Sequence, residues 1–329
     1  MKQFTIEEND ANQRLDKFLK KLFPSATRSL IYKLNRKGNI KINGKKQDNE
    51  YKLQIGEEIK IFVSDDDFIK MSAPPLNPLL DKEGKVSEAN RGGIDKKDIV
   101  FEDVGLLVVN KNPGMNVHPG DHKTKELSLI ALVQDYFSGK LDSLTFKPSL
   151  VHRIDRDTSG IIMIAKKKNV LDSMLSQLQN NKIKKTYFTL VFGKLPAKSG
   201  TINKRLKRIE GATKEDKVQV ADDGQVAITH YKVIDEKKAG DLIISSVEVT
   251  IETGRMHQIR VHMASMGTPV VGDDKYGDKK LNSFIKRNYG LARQALHSWK
   301  TEFINPSSNK EIKLEARLKE DLTKFLNSL

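Results

Sequence analysis

The chain has 329 residues, a length that exceeds one average domain and predicts two. Its 58 lysines and arginines outnumber 43 aspartates and glutamates, and the net charge of +15 indicates a polyanionic partner, most commonly nucleic acid. Because the sequence contains no cysteine, disulfide bonds, thiolate metal sites, iron–sulfur clusters and cysteine nucleophiles are excluded.

The distribution of apolar residues along the sequence predicts neither a secreted protein nor a membrane protein. The N-terminal residues, MKQFTIEEND, lack the apolar core of a secretory signal, so we expect a cytoplasmic location. The longest apolar run, at 161–165, has five residues. A membrane span needs roughly 18, so we expect no contact with a membrane.

The first predicted elements are two short helices. Leu15, Phe18, Leu19 and Leu22 recur at helical spacing, which predicts an amphipathic helix over 14–23 that Pro24 ends. A second helix is predicted from an N-cap at 27 to residue 37, with a glycine stop at 38. Its predicted buried face consists of Leu30, Ile31 and Leu34.

Two short strands complete this first unit. Isoleucines at 40 and 42 alternate with polar residues and lead into an Asn43-Gly44 turn, and Ile59, Ile61 and Val63 predict a second strand. Residues 20–46 contain nine lysines and arginines and no acidic residue. Solvated surfaces usually mix both signs, so this excess favours contacts with phosphates.

Residues 14–63 resemble the S4 RNA-binding domain, through the segment RLDKFLKKLFPSATRSLIYKLNRKGNIKINGKK. The resemblance implies a small α/β RNA-binding domain, which we place at residues 1–64. We expect its phosphate-facing surface to consist of Arg28, Lys33, Arg36, Lys37, Lys41, Lys45 and Lys46. The alternative is a charged face that only interacts with solvent.

Residues 65–98 differ in composition from both neighbours. They contain eight acids, six bases, three prolines and three glycines, with no sustained hydrophobic period. We therefore expect a linker or insertion that is at least partly mobile and separates the first domain from a second at 99–329.

The second domain contains more predicted strands than helices. Strands are predicted at 106–109, 161–165, 187–192, 228–234 and 242–251, and a helix at Leu171, Leu175 and Leu178. Strands and helices do not alternate regularly. This order favours an α+β domain with a mixed, mostly antiparallel sheet over a doubly wound fold.

Three polar clusters interrupt the apolar strands of this domain. They are VHRIDRDTSG at 151–160, directly before a buried strand, KKTY at 184–187, and TGRMHQIRVH at 253–262. Loops at strand ends commonly carry functional groups. Asp155 lies between Arg153 and Arg156, which would favour its ionised form. In the third cluster Ile259, Met263 and Met266 form a helical stripe that ends at Gly267.

These clusters resemble the RluA family of pseudouridine synthases. HRIDRDTSGIIMIAK matches the family signature, and NKNPGMNVHPG, KKTYFTLVFG and ETGRMHQIRVHMASMGTPVVGDDKYGD match its other motifs in order and spacing. With the S4-like start, the chain looks most like the RluC branch, which modifies large-subunit ribosomal RNA. The resemblance covers residue 99 to the C-terminus.

The resemblance implies isomerisation of uridine and assigns Asp155 as the carboxylate that acts at the ribose, either as nucleophile or as base. By motif position, Arg260 is the basic partner of Asp155, and Tyr187 stacks on the base. Because the target base must leave the RNA stack, Arg153 is a candidate to fill the gap, with Arg156 as a further RNA contact. Asp157 is the competing carboxylate, treated as a supporting hydrogen bonder. No cofactor or metal is implied.

Two other functions remain open from the residues alone. A non-catalytic RNA-binding or ribosome-assembly protein would use the same basic surface without needing Asp155. A metal hydrolase is suggested by His118, Asp121, His122, His152 and His257, although their spacing is unlike common metal motifs. We expect ribosomal RNA or a pre-ribosomal particle as the partner, and a monomeric protein.

Overall fold

The computed structural model describes residues 1–73, 94–119, 128–138, 140–141, 143–209 and 217–329. The N-terminal unit has a three-stranded antiparallel sheet of β1 (Lys2–Thr5), β2 (Ile40–Ile42) and β3 (Glu58–Ile61), in the order β1-β3-β2. Helices α1 (Leu15–Leu22), α2 (Arg28–Arg36) and α3 (Asp65–Ser72) pack against it. The order of the first two helices and of β2 and β3 is as predicted.

Local sequence signals place the start and end of α2 correctly. The side chain of Thr27 accepts a hydrogen bond from Leu30 N, and Gly38 follows the helix with a φ of +76°. The predicted buried face is partly wrong. Ile31 is buried, but Leu30 is 37% exposed, because the helix turns Ile31 and Asn35, one turn apart, toward the core.

Helix α3 lies inside the segment predicted to be a linker. Ser64 accepts a hydrogen bond from Asp67 N, and three aspartates in the first turn complement the helix dipole. Its Phe68 ring packs against Phe23 with centroids 5.3 Å apart, and Met71 is buried in the same core. Residues 65–73 therefore extend the N-terminal unit, whereas 74–93 lie outside the described residues.

The second unit is built on a mixed sheet. Its strands are β4 (Ile99–Glu102), β5 (Leu106–Lys111), β6 (Ser149–Leu150), β7 (Ser159–Ala165), β8 (Lys184–Phe192), β9 (Ser199–Asn203), β12 (Ile228–Ala239), β13 (Leu242–Ile251), β14 (Leu296–Ile304) and β15 (Glu311–Glu315). Neighbouring strands follow the order β4-β5-β7-β14-β8-β13-β12-β9, with β6 paired to β7 and β15 to β14. The pairs are antiparallel except for β7 with β14, which confirms the predicted architecture.

Short elements surround this sheet. A two-stranded ribbon is formed by β10 (Leu206–Arg208) and β11 (Val218–Val220). The helices are α4 (Leu129–Tyr136), α5 (Lys168–Gln179), α6 (Gln258–Ser265), α7 (Lys279–Tyr289) and α8 (Glu320–Ser328), and a 3₁₀ turn occupies Lys96–Asp98.

Two helices cover opposite faces of the central strands. Met174 on α5 packs with Met163 of β7, whereas Val133 on α4 packs with Ile162 and Ile164 of the same strand. Burial on both faces explains why β7 is an unbroken apolar run rather than an alternating one. The loop that precedes β7 is thus anchored at the centre of the sheet.

The two units contact each other through Asp10, which is fully buried. Its carboxylate accepts hydrogen bonds from Leu144 N at 2.8 Å, Thr145 N at 2.8 Å and Thr145 Oγ1 at 2.6 Å. The Leu144 side chain packs onto the N-terminal core. The N-terminal unit is therefore docked on the second unit.

Among the described helices, none has the length and apolar character that a membrane span requires.

Candidate active site

The loop between β6 and β7 carries Asp155 into a cavity of about 990 Å³. Thr158 N donates to Asp155 O at 3.2 Å and closes a turn, and Gly160 follows with a φ of +109°. A Cβ at Gly160 would lie 2.2 Å from Ser298 O, so only glycine allows β14 to approach β7 here. The close approach of these two strands explains the glycine that ends the polar cluster.

The structure brings the three predicted catalytic residues into this cavity. Asp155 comes from the β6–β7 loop, Tyr187 from β8 and Arg260 from α6, and all three line the cavity. Arg260 Nη1 donates to Asp155 Oδ2 at 3.0 Å. The arginine that pairs with the carboxylate is therefore one that is 105 residues distant in sequence.

The two sequence neighbours of Asp155 have different surroundings. Arg153 is exposed and lines the cavity, as a residue that meets RNA there would. Arg156 is exposed but does not line the cavity, and its Nε donates to Gly114 O at 3.1 Å. The direct bond to Asp155 therefore comes from Arg260 and not from the arginines that flank it in the sequence.

Arg260 is held by a second carboxylate that the sequence argument did not assign. Asp273, which is fully buried, accepts from Arg260 Nε at 2.7 Å and from Nη2 at 2.8 Å. Burial alone would disfavour the charge on Arg260, but the bonds to Asp273 and the nearby Asp155 raise the pKa of Arg260 above its ordinary value. The guanidinium therefore stays charged and oriented.

Two aromatic groups border this ion pair. Burial, followed by the negative charge of Asp155, raises the pKa of Tyr187 above its ordinary value, so its phenol stays protonated at neutral pH. Tyr276 lies with its ring 5.2 Å from the Arg260 guanidinium carbon, and its hydroxyl is 2.8 Å from His257 Nδ1. Tyr276 lies in DDKYGD, the end of the last matched motif, and the resemblance assigned it no role.

The histidines near the site are neutral partners. Burial lowers the pKa of His257, whose Nε2 lies 4.0 Å from Asp155 Oδ2. Desolvation lowers the pKa of His152 to about 3, and its Nε2 accepts from Met163 N at 3.3 Å. Both side chains are therefore hydrogen-bonded within the fold, His257 to Tyr276 and His152 to Met163. Within the described ranges no group of three His, Asp or Glu side chains could hold a metal, and Asp121 and His122 lie outside them.

A buried lysine stabilises the loop that carries Asp155. Lys111 Nζ donates to the carbonyl oxygens of Asn112 at 2.7 Å, Met115 at 2.9 Å and Arg156 at 2.7 Å. Burial lowers the pKa of Lys111 to about 7. This role was missed in the sequence, although a lysine that ends an apolar strand in NKNPG was a usable signal.

Asp157, the competing carboxylate, is not part of the cavity wall. Its backbone oxygen accepts from Arg293 Nη1 at 3.2 Å, an arginine whose Nε also binds Asp321 at 2.6 Å. The geometry thus separates the two carboxylates of the loop, with Asp155 facing the cavity.

The site can bind an anionic, base-containing ligand and present a carboxylate to it. Arg153 and Arg260 supply positive charge, Tyr187 supplies an aromatic side chain and Asp155 supplies the carboxylate. Such a combination suits cleavage of a glycosidic bond in a nucleotide that has left its stack.

Two family models match this chain. Residues 105–265 match the family described as RNA pseudouridylate synthase, and residues 13–59 match the S4 domain. The ribosomal large subunit pseudouridine synthase C of Buchnera aphidicola subsp. Schizaphis graminum is 34% identical over 324 residues, which cover 98% of this chain and 96% of that protein.

Other relatives extend the similarity. An uncharacterised RNA pseudouridine synthase of Bacillus subtilis, YlyB, is 33% identical over 99% of this chain and 97% of its own length. The structure of human RNA pseudouridylate synthase domain containing 4 aligns with a TM-score of 0.56 at 23% identity, covering 73% of this chain and 94% of that one. At this identity the structural match supports the fold alone.

Proposed function

This chain belongs to the RNA pseudouridine synthase family, and we propose that it isomerises specific uridines to pseudouridine in large-subunit ribosomal RNA. The observation that carries the proposal is the bond between Arg260 and Asp155 in a cavity that Tyr187 also lines. The names of its relatives, such as the ribosomal large subunit pseudouridine synthase C of Vibrio cholerae, support ribosomal RNA as the substrate.

The reaction replaces the N1–C1′ bond of uridine with a C5–C1′ bond. Asp155 acts at the ribose, either by attack on C1′ or by removal of a proton from C2′, and the freed uracil then turns within the cavity. After C5 bonds to C1′, the C5 proton leaves and N1 gains a proton, so the overall reaction is an isomerisation. Arg260 holds the carboxylate in one orientation throughout, by donating from Nη1 to Asp155 Oδ2.

RNA is anchored on the N-terminal unit in this proposal. Arg28, Lys33, Arg36, Lys37, Lys45 and Lys46 are exposed, and the ammonium of the half-buried Lys41 lies 5.6 Å from the Phe62 ring centroid. These charges would hold phosphates and leave the chemistry to the cavity. Arg153 would fill the space of the flipped nucleotide, and Arg156 would contact the RNA nearby.

The experiment is isomerisation of a large-subunit ribosomal RNA transcript by the wild-type chain and by Asp155→Asn, with carbodiimide labelling to map each pseudouridine. We expect discrete sites with the wild type and none with the variant, while RNA binding is nearly unchanged because phosphate contacts do not involve Asp155. Asp157→Asn serves as the matched control and should keep most activity.

The outcomes distinguish the alternatives. A wild-type protein that binds the transcript but makes no pseudouridine would favour a role in ribosome assembly. Normal turnover by Asp155→Asn would contradict the assignment of the carboxylate. Activity that survives excess chelator would exclude a metal hydrolase. A pre-ribosomal particle as substrate, a monomeric state and a cytoplasmic location remain predictions. Sizing of the protein would test the monomeric state. Mapping of pseudouridine in total RNA from cells that lack the gene would identify the uridines that are modified.

A further inference from the structure

Four lysine or arginine residues are buried in the part of the chain that the structure describes: Lys111, Lys166, Lys185 and Arg260. Three of them have protein partners. Lys111 donates to three carbonyl oxygens, Lys166 Nζ lies 2.9 Å from Glu102 Oε1, and Arg260 binds Asp155 and Asp273. A buried cation without such partners is costly, so the fourth requires an explanation.

Lys185 is the exception. It is only 9% exposed, and within the described ranges its ammonium makes neither a hydrogen bond nor an ion pair. It lines the same cavity as Tyr187, two residues further along β8. Side chains at this spacing lie on one face of a strand, about 7 Å apart.

The cavity wall beside this ammonium has no side chain at Gly254, which also lines the cavity. A Cβ placed there would be in van der Waals contact with Lys185 Nζ, 3.5 Å away, so glycine leaves this side of the ammonium uncovered. Burial lowers the pKa of Lys185, an effect that an anion beside it would oppose.

The cavity's own carboxylates already have partners. Among the described lining residues, Asp155 binds Arg260 at 3.0 Å and Glu252 lies 2.6 Å from His230 Nε2. An anion beside Lys185 would therefore come with the ligand. In an RNA substrate the anionic groups are phosphates, one on each side of every ribose.

We propose that Lys185 binds a phosphate that flanks the target uridine and so seats the flipped nucleotide between this ammonium and Tyr187. The inference rests on the proposed function, because it takes RNA as the substrate. It assigns to Lys185 a binding role that is distinct from the chemistry of Asp155.

The chain offers a matched control in the neighbouring residue. Lys184 has a side chain that is 58% exposed and lies 3.0 Å from Glu302, on the opposite face of β8. We would compare Lys185→Met, which removes the charge and keeps a long apolar stem, with Lys185→Arg and Lys184→Met. Urea unfolding of each variant would establish that it is folded.

The first measurement is single-turnover release of tritium from a C5-tritiated ribosomal RNA transcript, as a function of RNA concentration. Lys185→Met should raise the concentration at half-maximal rate about tenfold, the effect of one charge-assisted hydrogen bond, with a nearly unchanged rate at saturation. The salt dependence of RNA binding should also weaken by about one phosphate contact. Lys185→Arg and Lys184→Met should resemble the wild type.

The second measurement uses a short synthetic RNA that carries one mapped target uridine with a neutral methylphosphonate at its 5′ or its 3′ phosphate. One of the two replacements should weaken binding by wild type about tenfold and have little effect on Lys185→Met, because the variant has already lost that contact. The sensitive position identifies which phosphate is bound.

Two results would overturn the assignment of Lys185. One is an unchanged half-maximal concentration and salt dependence in folded Lys185→Met, and the other is a loss confined to the saturating rate, which would place Lys185 in the chemical step. Failure of the proposed function is distinguishable from both, since the wild-type chain itself would then release no tritium while its RNA binding could still be compared with that of Lys185→Met.

Discussion

Arg260 and Asp273 are joined by two parallel hydrogen bonds, from Nε at 2.7 Å and from Nη2 at 2.8 Å. The third guanidinium nitrogen is thereby aimed at Asp155, 3.0 Å away. Because both members of the 260–273 pair are buried, Asp273 sets the orientation of the only side chain that hydrogen-bonds Asp155 among the contacts described. The geometry of the proposed catalytic pair therefore depends on a residue that does not line the cavity.

Asp273→Asn tests this dependence. The amide keeps the volume but removes the charge opposite Arg260, so we expect the free energy of unfolding to fall by about 3 kcal/mol and saturating turnover by at least tenfold. Asp274→Asn is the matched control, since its side chain is 80% exposed and lies 3.6 Å from Arg260 Nη2. Urea unfolding and single-turnover rates give the two values. Equal behaviour of the two variants would contradict a positioning role for Asp273.

The ring and the hydroxyl of Tyr187 should make separable contributions to RNA binding and to turnover. If the ring stacks on the flipped uracil, Tyr187→Ala should lose roughly 1–3 kcal/mol of target binding together with turnover. Because burial and Asp155 raise the pKa of the phenol, its hydroxyl can act as a proton relay at C5 but not as a phenolate. Tyr187→Phe should then bind RNA normally and release little tritium from C5. Normal release by both variants would leave Tyr187 as a core residue of β8.

Removal of residues 1–73 should weaken RNA binding more than the chemical step. The cut is placed after α3 because Phe68 and Met71 pack on the N-terminal core and would be left exposed by a cut at residue 64. The salt dependence of RNA binding should become shallower, because a protein that makes fewer phosphate contacts releases fewer counterions when it binds. Filter binding across a salt series measures this. The same slope in both proteins would argue against the N-terminal unit as the RNA anchor.

Acid stability should depend on His297. This buried ring has its Nε2 3.3 Å from Ala316 O and its Nδ1 2.8 Å from Ser159 Oγ, so Nε2 donates to the carbonyl and Nδ1 accepts from the hydroxyl. Burial lowers its pKa to about 4 from an ordinary value near 6.5. Between these values the unfolded chain binds the proton and the folded chain does not, so stability is lost as the pH falls through this window.

The measurement is urea unfolding of the wild type and of His297→Gln at pH 7 and pH 4.5. Between pH 7 and pH 4.5 the free energy of unfolding should fall by roughly 2–3 kcal/mol more in the wild type than in the variant, because glutamine does not titrate. Other ionisable groups contribute to both proteins and cancel in the comparison. Parallel losses in the two proteins would show that His297 titrates normally in the fold.

Local structure could be predicted from the sequence wherever neighbouring residues determine it. The N-cap at Thr27, the turn at Asn43-Gly44, the helical stripe that ends at Gly267 and the apolar strand that ends at Ala165 are all present as predicted. Each depends on backbone dihedral preferences or on a hydrophobic period within a few residues. Helix α3 was missed because the acidic run that begins it was taken as a sign of a solvated linker rather than of a helix N-terminus.

The composition of the site was also accessible from the sequence, because the matched motifs carry Asp155, Tyr187 and Arg260 in order. The resemblance also implied Arg260 as the partner of Asp155, and only the tertiary structure decided what surrounds that pair. It supports Arg260 with Asp273, directs Arg156 Nε to Gly114 O, and leaves Lys185 buried beside the cavity with no partner in the described chain. Hydrogen-bond partners distant in sequence follow from strand order and packing. Periodicity and residue type record which side chains are buried or charged, but not which charges meet.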